Sequence, residues 1–146
     1  MTLKVELKPH ERIVIGNAVI RNGDVRSRLF IEGDTAIMRE RDILTATAAD
    51  TPAKRIYFAL QLMYLDKNAA IHRNAFISLI DDFMMAAPSA WPLISKVTDH
   101  VLAGEIYKAI KATRKLIDYE RELIDHELRH ARLPEDGTDG NQPAAA

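Results

Sequence analysis

Through residue 48 the apolar positions recur at every second residue. Leu3, Val5 and Leu7 alternate with Lys4 and Glu6, and Arg12-Ile13-Val14-Ile15 is short, β-branched and closed by Gly16-Asn17. Ala18-Val19-Ile20-Arg21 runs into Asn22-Gly23-Asp24, a strong hairpin signal, because asparagine and glycine tolerate the positive φ of tight turns. Residues 25–31 follow, then a second turn at Glu32-Gly33-Asp34 and a last apolar stretch, Thr35-Ala36-Ile37-Met38. The pattern predicts an antiparallel meander of about five short strands, which needs a partner face to be stable.

Between Thr45 and Asp50 the period changes to that of a helix. Asp50-Thr51-Pro52 reads as a helix start, a capping side chain followed by a proline whose missing N–H costs little there. Ile56, Ala59, Leu60, Leu62 and Met63 form its apolar face. A second helix is expected from about Ala69 to Ala86 through Ile71, Ala75, Phe76, Leu79, Ile80 and Phe83, stopping before Pro88. Ser89 is placed to cap a third, through Trp91, Ile94, Val97 and Val101 to Gly104. The fourth, from Glu105 to Arg132, carries its stripe on Ile106, Ile110, Thr113, Leu116, Ile117, Leu123, Ile124 and Leu128, and Pro134 should end it. The reading is α+β: a β-rich part over residues 1–48, a bundle of about four helices over 49–132 packed with it, and a disordered tail over 133–146.

Composition adds constraints rather than a mechanism. A chain of 146 residues with 47% apolar and 28% charged residues is an ordinary globular sequence. It has no cysteine, so disulfide frameworks, thiolate metal sites and cysteine nucleophiles are excluded. The N-terminus is too charged for a signal peptide and no apolar run spans a membrane, so the expected location is the cytoplasm. The net charge of −1 rules out a global polycation. Residues 1–48 hold eight Lys and Arg against seven Asp and Glu, so any nucleic-acid site must be a local arrangement of cations.

His126-Glu127-Leu128-Arg129-His130 matches the spacing by which zinc hydrolases place two imidazoles on one helical face with a glutamate as base. A catalytic zinc needs a third ligand held in place, and only Glu135, Asp136 and Asp139 follow, in the expected tail. Asp81 and Asp82 are adjacent on a helix and point apart. No serine has a nucleophile elbow around it, and no glycine-rich loop forms a phosphate cradle. The expectation is a protein without enzymatic activity, cofactor or metal.

The strand region offers binding chemistry instead. Arg26, Arg28 and Phe30 share one face of an extended segment, and Arg39 and Arg41 share a face if residues 38–42 stay extended. Lys8, Arg12 and Arg21 could join them. Guanidinium groups beside an aromatic on an open sheet suit single-stranded RNA, through phosphate contacts and base stacking. The plainer alternative is the wet face of a half-exposed sheet, with Glu6, Glu11, Glu32 and Glu40 interspersed.

Several stretches in order resemble the FlbT family of flagellin-mRNA repressors: Leu3-Lys4-Val5-Glu6-Leu7-Lys8-Pro9, Glu11-Arg12-Ile13-Val14-Ile15-Gly16-Asn17, Arg28-Leu29-Phe30-Ile31, Ile43-Leu44, Pro52-Ala53-Lys54-Arg55-Ile56-Tyr57 and Gln61-Leu62-Met63-Tyr64. The similarity extends to about Leu133. It implies post-transcriptional repression in flagellum biogenesis, by association with the 5′ untranslated region of flagellin mRNA and faster decay of that message. It also implies coupling to FlaF, a flagellin-associated partner. A shorter similarity, over residues 8–43, links Glu11 to Asn17 and Met38 to Ile43 with CsrA, a strand-exchanged RNA-binding dimer, and Arg39 matches its RNA-contacting arginine. The rival expectation is a protein-binding adaptor for flagellin or FlaF, with Met63, Phe83, Met84 and Met85 lining a groove for an amphipathic helix. In either case a homodimer is expected, paired through the open sheet or the last helix.

Overall fold

Alternation of apolar and charged residues produces the first strand, β1 (Thr2–Leu7), in the computed structural model, which describes residues 2–66 and 70–141, with side chains as far as Ala131. Four strands follow: β2 (Arg12–Ile15), β3 (Ala18–Arg21), β4 (Ser27–Glu32) and β5 (Ile37–Arg39). All pairings are antiparallel, but the strands form two sheets: a β1–β4 ribbon and a three-stranded β3–β2–β5 sheet. The expected meander is corrected in its pairing: β1 skips β2 and pairs with β4.

Local side chains explain the rerouting. The hairpin forms at Gly16-Asn17, where Gly16 takes φ +63° at the first central position and Ile15 opposes Ala18. A Cβ on Gly16 would also lie 2.8 Å from Thr35 Oγ1, so glycine is required twice over. The stronger signal at Asn22-Gly23-Asp24 makes no hairpin. Asn22 Nδ2 lies within hydrogen-bond distance of the Leu7, Lys8 and Val25 carbonyls, at 3.2, 2.9 and 2.8 Å, and so ties the crossover between sheets. A turn at residues 8–11 makes the complementary crossing, with Pro9 followed by His10 at φ 65° and the Glu11 N–H donating to the Lys8 carbonyl.

The two sheets share one apolar layer. Val5, Leu7, Leu29 and Ile31 from the ribbon meet Ile13, Ile15 and Ile37 from the other sheet, and Leu7 and Ile13 are fully buried. The opposite, outward faces are therefore set by the pleat. Lys4, Glu6, Arg28, Phe30 and Glu32 face out from the ribbon, and Arg12, Val14, Val19 and Arg21 from the three-stranded sheet.

Four helices follow. In α1 (Pro52–Leu65), Thr51 caps the start by accepting from the Lys54 N–H, with Pro52 in the first turn, as expected. Its apolar positions Ile56, Ala59, Leu60 and Met63 are buried. Its polar face grips β5 and the segment that follows it. Tyr57 donates to the Asp42 carbonyl (2.7 Å), and Gln61 bonds both the N–H and the carbonyl of Leu44 (2.8 Å each). The Tyr64 hydroxyl accepts from the Ile37 N–H (3.1 Å) and donates to its carbonyl (3.3 Å). Spaced at i, i+4 and i+7, these three side chains act as a surrogate strand against residues 37–44.

The other helices are α2 (Ala70–Ala86), α3 (Trp91–Leu102) and α4 (Ile106–Asn141). Along α2, Phe76, Ile80 and Phe83 are buried, whereas Ile71 and Ala75 are exposed. Ser89 does not cap α3. It sits in a 3-10 turn (Pro88–Ala90), its hydroxyl bonded to that of Tyr119 at 2.6 Å, and proline occupies the first turn of α3. Ile94, Val97 and Val101 pack with Ala109, Ile110, Thr113 and Leu116 as the buried faces of an α3–α4 pair, while Trp91 is exposed. The α4 stripe loses its cover after Glu120, and Ile124 and Leu128 are exposed. α4 is longer than the reach to Arg132 expected; the tail expected over 133–146 falls on side chains, and from residue 142 on whole residues, outside those described. No helix among the described residues is long and apolar enough to cross a membrane.

The chain forms two compact units, Met1–Asp81 and Asp82–Ala146, so α1 belongs with the strands. Because Gln61 is 4% exposed, replacing it leaves both backbone groups of Leu44 without their partner. Gln61→Ala should lower stability by about 2–4 kcal/mol, measured by urea denaturation, and Gln61→Leu should not restore it.

Candidate nucleic-acid interface

The pleat and the sheet packing distribute the eight cationic and aromatic candidates. Arg28 and Phe30 project from the outward face of the ribbon, and Arg26 immediately precedes β4. Phe30 is 63% exposed and stands directly opposite Lys4, and Arg28 stands opposite Glu6. The Glu6 carboxylate lies 3.6 Å from both the Arg26 and the Arg28 guanidinium. These three candidates are together, and Lys4 joins them. The alternation Leu3-Lys4-Val5-Glu6 put Lys4 on the polar face of β1, but only the β1–β4 pairing brings that face beside Arg28 and Phe30.

Arg12 and Arg21 are elsewhere. They oppose each other across β2 and β3, on the outward face of the other sheet, which points away from the ribbon's outward face. Arg12 is held by Glu40: its Nε and Nη2 donate to Oε2 at 3.1 and 2.8 Å, and its backbone N–H to Oε1 at 3.4 Å. That contact lowers the Glu40 pKa below the usual carboxylate range and raises that of Arg12. Lys8 is exposed in the β1–β2 connection, and Arg41 is exposed in a 3-10 turn (Glu40–Asp42), where the chain no longer extends.

Arg39 is placed apart from the other candidates. Its cross-strand partner is Ile13, so it projects from the inner face of its sheet, toward the ribbon. Nη2 donates to the Glu6 carbonyl oxygen and to Glu11 Oε1 at 3.3 Å, and Nε is buried without a hydrogen-bond partner among the described residues. Its side chain is 27% exposed, against 54–63% for Arg12, Arg26 and Arg28. Arg39 is a clamp between two sheets, not a free cation. Glu11, which also accepts the Lys8 backbone N–H at 2.9 Å, has its pKa lowered, first by that bond and then by Arg39, against the opposing effect of burial.

Further along, His126 and His130 stack with ring centroids 6.0 Å apart on an exposed stretch of α4, and among the described residues no three potential ligands gather into a metal site. Of the residues expected to line a helix-accepting groove, Met63 and Phe83 are buried and Met85 is exposed.

The candidate site of this small α+β protein is thus a strand pair with an exposed aromatic and three neighbouring cations. The chain belongs to the family described as flagellar protein FlbT, which matches residues 3–124. It is 47% identical over 141 residues to the probable flagellum biosynthesis repressor protein FlbT 1 of Bradyrhizobium diazoefficiens, covering 95% of this chain and 97% of that one. It is 46% identical to a probable flagellum biosynthesis repressor of Rhodopseudomonas palustris (85% of this chain, 98% of the other) and 38% identical to the flagellum biosynthesis repressor protein FlbT of Caulobacter vibrioides (86% and 92%). No solved structure matches it.

Two expectations follow from the Arg39 clamp and the Arg12–Glu40 pair. Arg39→Ala should lower stability by about 2–3 kcal/mol, because it removes charge-assisted bonds between the sheets, and Arg39→Lys should recover only part of this. The depressed Glu11 and Glu40 carboxylates contribute stability that is complete above their ordinary value of 4.5 and is lost as pH falls through the lower folded values. In the Glu11→Gln, Glu40→Gln double variant the urea midpoint should therefore fall less on acidification than in the parent.

Proposed function

We propose that the protein represses flagellin synthesis by associating with the 5′ untranslated region of flagellin mRNA and promoting decay of that message. Family membership and the names of its relatives support the repressor part. The observation that carries the RNA part is Phe30, an aromatic left 63% exposed on a strand between Lys4 and Arg28. An unpaired base stacks on such a ring, and the flanking cations take the adjoining phosphates. The Glu6 contacts at 3.6 Å are exposed ion pairs of small net value, so Arg26 and Arg28 exchange Glu6 for phosphate at little cost. In this reading Arg39 acts through the fold and touches no RNA.

The test is binding of a labelled flagellin leader over a salt series. Phe30→Ala should cost about 1–3 kcal/mol with the salt slope unchanged, and Arg26→Ala with Arg28→Ala should reduce the slope by about 1.4. Leader affinity that is absent, or indifferent to salt and to all three substitutions, overturns direct binding by this face. If flagellin or FlaF then co-purifies with RNase-treated protein, the message is controlled through a protein partner.

A further inference from the structure

The helical unit carries a second cationic surface, made by residues distant in sequence. On α3, Lys96 and His100 lie one turn apart; on α4, Lys108, Lys111 and Lys115 repeat at i, i+3 and i+7. The buried positions Ile94, Val97 and Val101 on one helix and Ala109, Ile110 and Leu116 on the other hold the two helices together. Their packing brings both cationic rows to one groove of about 440 Å³, with Leu93 and Ala112 also in its lining.

The charge here is scarcely compensated. Glu105 takes Lys108 at 2.9 Å and His100 at 3.2 Å, and those two bonds lower its pKa. Asp118 is engaged by Arg121 at 3.5 Å, and Asp99 is exposed on α3. Lys111 lies 5.7 Å from the Tyr107 ring. Among the described residues Lys96, Lys111 and Lys115 have no carboxylate partner. Lysines at i and i+4 such as Lys111 and Lys115 repel, so the fold carries an unfavourable arrangement that an anionic ligand relieves.

We infer that the α3–α4 groove binds the phosphate backbone of single-stranded RNA through Lys96, Lys111 and Lys115. The inference rests on the RNA reading above and adds a contact on the other compact unit. An acidic protein partner fits less well. Protein interfaces are depleted in lysine and depend on apolar or aromatic anchors, whereas the apolar lining here is Leu93 and Ala112. Lysine contacts to phosphate carry no sequence information, so this groove would strengthen binding to any strand.

The experiment uses the full chain, the flagellin leader and a labelled oligouridylate, with affinity followed over salt. The variants are Lys96→Gln with Lys111→Gln and Lys115→Gln, and Lys54→Gln as a control outside the groove. Losing three single-strand phosphate contacts should make the salt slope shallower by about 2 for both RNAs, with the thermal midpoint unchanged or raised and the control like the parent. A parent that binds RNA while the triple variant keeps its slope overturns the groove and leaves the RNA reading standing. A parent that binds neither RNA overturns both.

Discussion

The β-rich unit depends on α1 supplying hydrogen bonds that no strand supplies. Beyond β5 the sheet has no neighbour, and the chain from Ile37 to Leu44 would present unpaired amides and carbonyls to a half-buried surface. Tyr57, Gln61 and Tyr64 meet that demand from one helical face, with Gln61 imitating a strand residue by bonding both backbone groups of Leu44. Strand and helix are thus one cooperative piece, and the compact unit that contains them runs to Asp81.

With β5 held in that way, the charges are sorted. Arg39 enters the seam between the sheets, where Glu11 balances its charge and the Glu6 carbonyl accepts a hydrogen bond from it. Glu6 therefore works twice: its backbone receives Arg39 on one side, and its carboxylate faces Arg26 and Arg28 on the other. Arg12 goes to Glu40. What remains outward on the ribbon is a modest excess of cations around Phe30. A protein with no net positive charge can hold RNA only where such local excess exists, which directs attention to this face and to the lysine groove of the helical unit.

The two proposed contact surfaces differ in chemistry. An aromatic with a few cations distinguishes unpaired from paired RNA, and a lysine groove adds sequence-independent grip. Acting on one strand, the two would combine through effective concentration, and the leader would need enough single-stranded length to reach both.

The sequence by itself determined the element types. Alternation in β1, the β-branched run of β2, the Thr51-Pro52 start and the spacing of Ile94, Val97 and Val101 follow from periods of two and 3.6 and from capping chemistry, which act over a few residues. The local order that marks the family was legible for the same reason. Tertiary structure decided which strand pairs with which, because Asn22 bonds to Leu7 and Lys8, a turn away in space but far along the chain. It decided that Arg39 lies in a seam while Arg28 faces outward beside Glu6, since both sit in strands and only the packing of two sheets separates inner from outer face. It also assembled the lysine groove, whose two rows are unremarkable on either helix alone and become a site only when α3 and α4 pack. Periodicity assigns a residue to a face of its own element; what that face meets depends on contacts between distant segments, and no short-range rule contains them.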